Sequence, residues 1–172
     1  NFIIVGSDST SEAPTAWPAL LKEYLEGAYG KDIFNITTKE IANKTSTQVV
    51  QEELYQELID LSPDILLLEP FILYDNGKLV RLDKRLENIT EILGAIKGKL
   101  PEVSILLQPS NPIYNAKHYP KEVEKLKGFV EENNYTYLII GKFGLIINLL
   151  RLWSIYNMAY RMKKGISFGR ST

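Results

Sequence analysis

The feature that most constrains the fold is a repeated switch between short apolar runs and longer amphipathic segments. Residues 2–5 are apolar, with no alternation of apolar and polar positions. Such a run is typical of a strand that is covered on both faces, as in a parallel sheet. Four more strand-like segments, alternating with helix-like ones, predict an α/β domain with about five parallel strands. The predicted strands are residues 2–5, 32–37, 65–68, 103–107 and 135–139, and the predicted helices are residues 15–28, 47–61, 82–97 and 120–130.

A cluster of short polar side chains follows the first strand directly. Gly6 ends the strand, and Ser7, Asp8, Ser9 and Thr10 come next. Open α/β sheets place their reactive groups at the carboxyl ends of the strands, which makes a serine here a candidate for chemistry. The same residues also fit a polar turn that caps the following helix. The residues alone leave both interpretations open.

Two neighbouring segments carry a resemblance to a known family. Residues 7–12 read Ser-Asp-Ser-Thr-Ser-Glu, and residues 16–21 read Ala-Trp-Pro-Ala-Leu-Leu. Together they resemble the opening block of the SGNH (GDSL-type) hydrolases, Gly-Asp-Ser-Leu-Thr-Glu followed by a Trp-Pro-x-Leu-Leu helix. The resemblance covers residues 1–140 and implies a flavodoxin-like three-layer α/β/α sandwich that hydrolyses acyl or acetyl esters. It makes Ser9 the nucleophile and Asp8 its neighbour, and it departs from the family at Ser7, where the family has glycine.

The same resemblance suggests two partners for the oxyanion of the reaction. Asn43 stands near the place where the family has a glycine whose backbone N–H donates to the oxyanion, and asparagine tolerates positive φ. Asn76 follows the third strand and is the candidate for a side-chain donor, because a carboxamide N–H can also serve there. Each position has a second interpretation. Asn43 also fits a polar loop before a cap at Ser46, and Asn76 also fits an Asp-Asn-Gly turn.

The chain lacks the base that a serine nucleophile needs. The family supplies this base from an Asp-x-x-His block near the carboxyl terminus. His118 is the only histidine here, and it lies before the helix at residues 120–130, where the family has no base. We interpret His118 as a solvated residue at the entry to that helix.

The carboxyl-terminal segment differs in charge from the rest of the chain. No acidic residue follows Glu132, and residues 141–172 carry six basic residues and no acidic one. We therefore divide the chain into a hydrolase-like domain, residues 1–140, and an atypical basic and apolar tail, residues 141–172. Codons can be chosen so that a frame offset by one nucleotide encodes a Pro-Asn-x-x-Gly-His segment, which is how the family carries its base. This pattern indicates a frameshift near Tyr137 and Leu138.

The composition narrows the remaining possibilities. There are no cysteines and one histidine, so thiolate chemistry is excluded and a His-rich metal site is disfavoured. We expect no cofactor and no metal. The net charge of −1 does not point to nucleic acid. The expected partner is a small acyl ester or an acetylated carbohydrate.

Two further expectations come from the two ends of the chain. The sequence starts without Met, which indicates a trimmed chain and leaves room for a preceding signal or anchor, and we slightly favour an extracytoplasmic or cell-surface location. The competing hypothesis is a non-catalytic flavodoxin-like binding domain. In it, the tail would form an amphipathic helix for a membrane or partner, which we favour less.

The DNA around codon 137 tests the frameshift. We expect the neighbouring frame to encode the histidine block, and a protein expressed from that frame to hydrolyse short-chain acyl esters at least ~100-fold faster, because a general base contributes about that much. Measuring ester turnover for both proteins checks this. A gene that reads straight through with no such block, or a restored protein with no gain, would favour the binding domain.

Overall fold

The computed structural model describes residues 1–110 and 118–138. Its centre is one parallel sheet in the order β2-β1-β3-β4-β5. The strands are β1 (Phe2–Gly6), β2 (Ile36–Glu40), β3 (Ile65–Leu68), β4 (Ser104–Leu107) and β5 (Thr136–Tyr137). The helices are α1 (Trp17–Tyr29), α2 (Ser46–Gln51), α3 (Gln56–Asp60), α4 (Ile72–Gly77), α5 (Leu82–Lys99) and α6 (Tyr119–Glu132).

The alternating side chains of the central strands divide the core into two layers. Ile3 and Leu66 pack on one face of the sheet, in a cluster that includes apolar residues of α2, α3, α5 and α6. Ile4 and Leu67 pack on the other face, against Leu21 and its neighbours on α1. The structure therefore confirms the predicted flavodoxin-like three-layer α/β/α arrangement with five parallel strands.

The order of the strands reverses between β1 and β3, so successive connections lead to opposite sides of the sheet. β1 pairs with β2 on one side and with β3 on the other, so the connections that leave β1 and β3 diverge. In open α/β sheets the crevice at such a point is where ligands bind, and the order 2-1-3-4-5 is one of its standard forms. The carboxyl ends of β1, β3 and β4 are therefore the place to look for a site.

Several local predictions were wrong in position. The second strand begins at Ile36 and not at residue 32, where Asp32 adopts a positive φ of 72°. The segment predicted as one helix over residues 47–61 is two short helices, because Glu53 has a φ of 49° between them. Thr45, and not Ser46, caps α2 through a capping box with Gln48.

Other differences concern helix ends. Ala16 is the N-cap of α1 and makes no side-chain cap hydrogen bond, whereas the sequence favoured Thr15. Residues 72–77, predicted as a loop with a turn, form the short helix α4. The tail at residues 141–172 and the frameshift assigned to it lie outside the described residues.

The part of the chain that the structure describes contains no helix long and apolar enough to cross a membrane.

Gly6 allows β1 and β3 to approach at the end of the sheet. A Cβ on Gly6 would lie 2.6 Å from the Cβ of Glu69 and 2.8 Å from its Oε2, and closer still to the hydroxyl of Thr10. These distances are well inside van der Waals contact, so any side chain here forces the turn and the end of β3 apart.

We predict that Gly6→Ala lowers the free energy of unfolding by roughly 1–3 kcal/mol, the usual cost of overpacking. Gly94→Ala is the matched control, because Gly94 lies inside α5 with no atom near its added Cβ. That change is expected to raise stability by up to about 1 kcal/mol, since alanine is the better helix former. Urea unfolding checks both, and equal stability of the two variants would contradict the close approach.

Candidate active site

The turn after β1 carries the predicted nucleophile. The Ser7 side chain is buried, Asp8 is exposed and Ser9 is half-buried. The N–H of Thr10 closes the turn by donating to the carbonyl of Ser7 at 2.7 Å. The indole N–H of Trp17 donates to the carbonyl oxygen of Ser9 at 2.8 Å. The first residue of α1 thus fixes the backbone of the predicted nucleophile.

Glu69, at the end of β3, collects the hydrogen bonds of this turn. Its side chain is fully buried. Its Oε2 accepts from the Ser7 N–H at 2.8 Å, from the Ser7 hydroxyl at 2.6 Å and from the Ser9 hydroxyl at 3.0 Å. The Thr10 hydroxyl lies at 3.4 Å from the same oxygen. One carboxylate oxygen therefore holds three residues of the turn.

The loop after β4 supplies the other side of this arrangement. The hydroxyl of Ser110, which is buried, donates to Oε1 of Glu69. The phenol of Tyr119, at the start of α6, donates to the carbonyl of Ser110. Burial raises the pKa of the Tyr119 phenol, and the negative charge of Glu69 raises it further, so this phenol keeps its proton. We call Glu69 with Ser7, Ser9, Thr10 and Ser110 the Glu69 cluster.

The buried carboxylate of Glu69 is compensated by neutral hydrogen-bond donors. A buried carboxylate is costly unless hydrogen bonds or an opposite charge compensate it. Within residues 1–110 and 118–138 no salt bridge reaches Glu69, so O–H and N–H groups carry that role. The same residues include no group of three or more acidic or histidine side chains placed to hold a metal ion.

The structure brings Asn43 to the same turn. The N–H of Asn43 donates to Oδ2 of Asp8 at 3.1 Å, and Asn43 has a φ of 57°, in the left-handed region that asparagine tolerates. Asp8 precedes Ser9, so the loop after β2 lies beside the predicted nucleophile. The N–H that the sequence assigned to the oxyanion is occupied by Asp8 in this structure.

Asn76 is not joined to this cluster. Its amide nitrogen lies 2.5 Å from Oε2 of Glu122 on α6, and Glu122 also pairs with Arg85 at 2.8 Å. Helix α4 forms where a loop was predicted, and it carries Asn76 toward α6. In the described structure the Asn76 amide is hydrogen-bonded to Glu122, and its role as a donor beside Ser9 stays a prediction.

His118 lies where the sequence placed it. It is exposed, occupies the N-cap position of α6 and makes no side-chain cap hydrogen bond. Together with Asn76, Arg85, Tyr119 and others it lines a cavity of about 540 Å³. None of its lining residues belongs to the Glu69 cluster, although Tyr119 donates to the carbonyl of Ser110, and among the described residues no hydrogen bond joins His118 to Ser9.

Sequence reasoning missed Glu69 and Ser110. Glu69 was noted only as part of a Glu-Pro-Phe variant of a family block, and Ser110 only as part of a Pro-rich loop. The signal that could have identified them was their position after the predicted strands. Both residues follow buried strands that were correctly predicted, and polar residues at the carboxyl ends of adjacent parallel strands meet at one edge of the sheet.

Comparisons with known proteins identify solved structures that share the fold of this chain. No family model matches the sequence, and no curated protein matches it. Solved structures do match. A GDSL-like lipase from Parabacteroides merdae has a TM-score of 0.66 at 12% identity, covering 96% of this chain and 96% of that one. The acetyl xylan esterase AlAXEase has a TM-score of 0.63 at 13% identity, covering 97% and 100%.

A third structure extends the same pattern. The psychrotrophic esterase EstA from Pseudoalteromonas sp., whose structure is described as inhibited by monoethylphosphonate, has a TM-score of 0.58 at 18% identity, covering 96% of this chain and 98% of that one. The chain thus has the fold of the SGNH (GDSL-type) hydrolases. The solved structures that share this fold include carboxylic ester hydrolases.

A second buried carboxyl group lies behind the site, in the network that holds Asn76. Oδ1 of Asp75 accepts from the N–H of Ser46 at 2.8 Å, and its Oδ2 lies 4.0 Å from Nε of Arg85. Oδ2 has no hydrogen-bond partner among the described residues. Burial raises the pKa of Asp75 above 3.8, although its contacts with Ser46 and Arg85 act in the opposite direction.

This raised pKa predicts how stability depends on pH. The folded protein binds the Asp75 proton more tightly than the unfolded chain, so this group's contribution to stability is lost as pH rises from 3.8 through the folded pKa. In Asp75→Asn that loss is absent. We therefore expect the unfolding free energy of the variant, relative to wild type, to increase as pH is raised from about 4 toward neutral.

Urea unfolding at a series of pH values measures this slope. Asp83→Asn is the control of opposite sign, because a hydrogen bond from Arg81 lowers the pKa of the exposed Asp83. Its difference from wild type is expected to fall as pH rises through the lowered folded pKa toward 3.8, and to stay nearly flat from there toward neutral. A flat or falling difference for Asp75→Asn would show that burial does not dominate at Asp75.

Proposed function

We propose that this chain is a serine-dependent ester hydrolase of the SGNH type in which Ser9 is the nucleophile. The observation that carries the proposal is the setting of Ser9. It lies half-buried on a turn at the carboxyl end of β1, with its hydroxyl held by Glu69 at 3.0 Å and its carbonyl held by Trp17. A nucleophile needs this fixed position and partial access, and the fold supplies both at the switch point of the sheet.

The reaction has two steps. In the first, Ser9 Oγ bonds to the acyl carbon of the ester, its proton passes to a base, and the alcohol departs after taking up a proton. In the second, water attacks the acyl-serine carbon, Ser9 regains a proton and the carboxylic acid is released. This chemistry needs no cofactor.

The oxyanion donors in this proposal are the backbone N–H groups of Ser9 and Asn43. The N–H of Asn43 becomes available when the carboxylate of Asp8, now 3.1 Å away, turns toward solvent. One such donor typically contributes about 100- to 1000-fold to the rate. Asn76 stays a predicted further donor, whose amide is hydrogen-bonded to Glu122 in the described structure.

The activity of this exact chain is impaired, because its sequence offers Ser9 no histidine base other than His118, which lies at another cavity. The substrate class is a small acyl ester or an acetylated carbohydrate. The names of two fold neighbours, a GDSL-like lipase and an acetyl xylan esterase, support that class. An extracytoplasmic or cell-surface location and the absence of a nucleic-acid partner remain part of the proposal.

A non-catalytic binding domain is the second candidate. The occupied N–H of Asn43 favours it, as does the cavity of about 540 Å³ at His118 and Arg85, which has the size of a small-molecule site. In that case the tail would contact a membrane or a partner protein.

The hydrolase proposal predicts that Ser9→Ala, made in the frame-restored protein, reduces turnover of a short-chain ester such as p-nitrophenyl acetate to the buffer background. The Ser9 hydroxyl donates to the buried carboxylate of Glu69, so its loss is expected to cost about 1.5–3 kcal/mol of stability, which thermal unfolding measures separately. Ser11→Ala is the control, because the Ser11 hydroxyl caps the nearby N–H of Ala13 and does not contact Glu69.

Equal turnover, above background, by the frame-restored protein with and without Ser9→Ala, with Ser11→Ala also unchanged, would end the assignment of Ser9. No turnover above background in the unaltered chain and in the frame-restored protein would favour the binding domain.

A further inference from the structure

We propose that Glu69 is a positioning residue for Ser9, which orients the nucleophile through a shared carboxylate. This inference rests on the proposed function of Ser9 and adds a role for a residue that lies on a different strand. Glu69 does not contact the substrate in this account. It acts through the hydroxyl of Ser9 and through the turn that carries it.

The first support is the way Glu69 joins three adjacent strands. Its Oε2 holds Ser7 and Ser9, which follow β1, and its Oε1 accepts from Ser110, which follows β4. The order β1-β3-β4 places Glu69 between these two loops. A change in the position of the carboxylate therefore moves the nucleophile turn and the Ser110 loop together.

The second support is the exposure of the residues involved. Glu69, Ser7 and Ser110 are 0%, 2% and 1% exposed, whereas Ser9 is half-buried. The rigid part of the cluster is thus inside the protein, and it presents one hydroxyl at the surface. A serine side chain without such a partner populates several staggered rotamers, and only one of them aims Oγ at a bound ester.

The third support comes from the hydrogen bonds already present at Oε2. This oxygen accepts both the N–H and the O–H of Ser7, at 2.8 and 2.6 Å, which are shorter than its 3.0 Å contact with Ser9. The two Ser7 donors share Oε2 with Ser9 and hold the carboxylate against the turn, so Oε2 keeps a fixed place relative to the Ser9 hydroxyl. The geometry therefore fits a residue that orients Ser9, and the pH test below separates this role from that of a base.

A fluorophosphonate probe measures the reactivity of Ser9 in the full chain without requiring turnover. We expect Glu69→Gln to lower the second-order rate of Ser9 labelling at least tenfold, because the carboxamide replaces one acceptor oxygen with an N–H₂ donor. Glu122→Gln is the matched control. Glu122 is also a buried glutamate, but its partners are Asn76 and Arg85, so this variant is expected to label at the wild-type rate.

The pH profile separates positioning from proton transfer. If Glu69 only orients Ser9, the labelling rate of Glu69→Gln has the same dependence on pH as wild type at a lower level. If Glu69 is the base, the variant loses an inflection that wild type shows, and the positioning role is wrong.

A second variant covers the case in which Glu69→Gln does not fold, which circular dichroism and thermal unfolding would reveal. Ser110→Ala removes a donor to Glu69 and leaves Ser9 untouched, and we expect it to slow labelling several-fold. Labelling of Glu69→Gln, or of Ser110→Ala in its place, at the wild-type rate would overturn the inference while leaving Ser9 as nucleophile. Absence of labelling at Ser9 in both the unaltered and the frame-restored protein, with Ser9→Ala as reference, would overturn the proposed function itself.

Discussion

The structure depends on one buried carboxylate that is compensated by hydroxyl and amide donors. Glu69 places a buried carboxylate at the carboxyl end of β3, and the donors of Ser7, Ser9 and Ser110 compensate the cost of that burial. Gly6 is required for the same reason, since a side chain there would occupy the space that Glu69 uses. The turn that presents Ser9 therefore follows from the way this charge is accommodated.

A second buried carboxyl network lies behind the first and is compensated differently. Arg85 faces both Asp75 and Glu122, and these contacts tie α4, α5 and α6 together. Asn76 belongs to this network through Glu122. The two networks hold different parts of the domain. Neutral donors hold the surface serine at the carboxyl edge of the sheet, while the guanidinium braces the helices beside it.

Sequence patterns predicted the sheet well because strands covered on both faces are recognisable as unbroken apolar runs, as at residues 2–5 and 65–68. They also placed Asn43 at a positive φ beside the nucleophile turn. They did not predict α4, because nothing local showed that this short helix would form and bring the Asn76 amide to Glu122. Glu69 escaped notice because its hydrogen-bond partners are far away along the chain. Ser110 lies 41 residues from it, and the residues of the turn after β1 lie 59 or more residues from it.

The central claim is that Ser9 is a nucleophile oriented by Glu69, and a crystal structure of the protein after reaction with a fluorophosphonate tests it most directly. We expect phosphorus on Ser9 Oγ, Glu69 still bound to Ser7 and Ser110, and a phosphoryl oxygen at the N–H groups of Ser9 and Asn43, with Asp8 displaced. An adduct on another residue, or an unmodified Ser9 with the Glu69 cluster unchanged, would contradict the account.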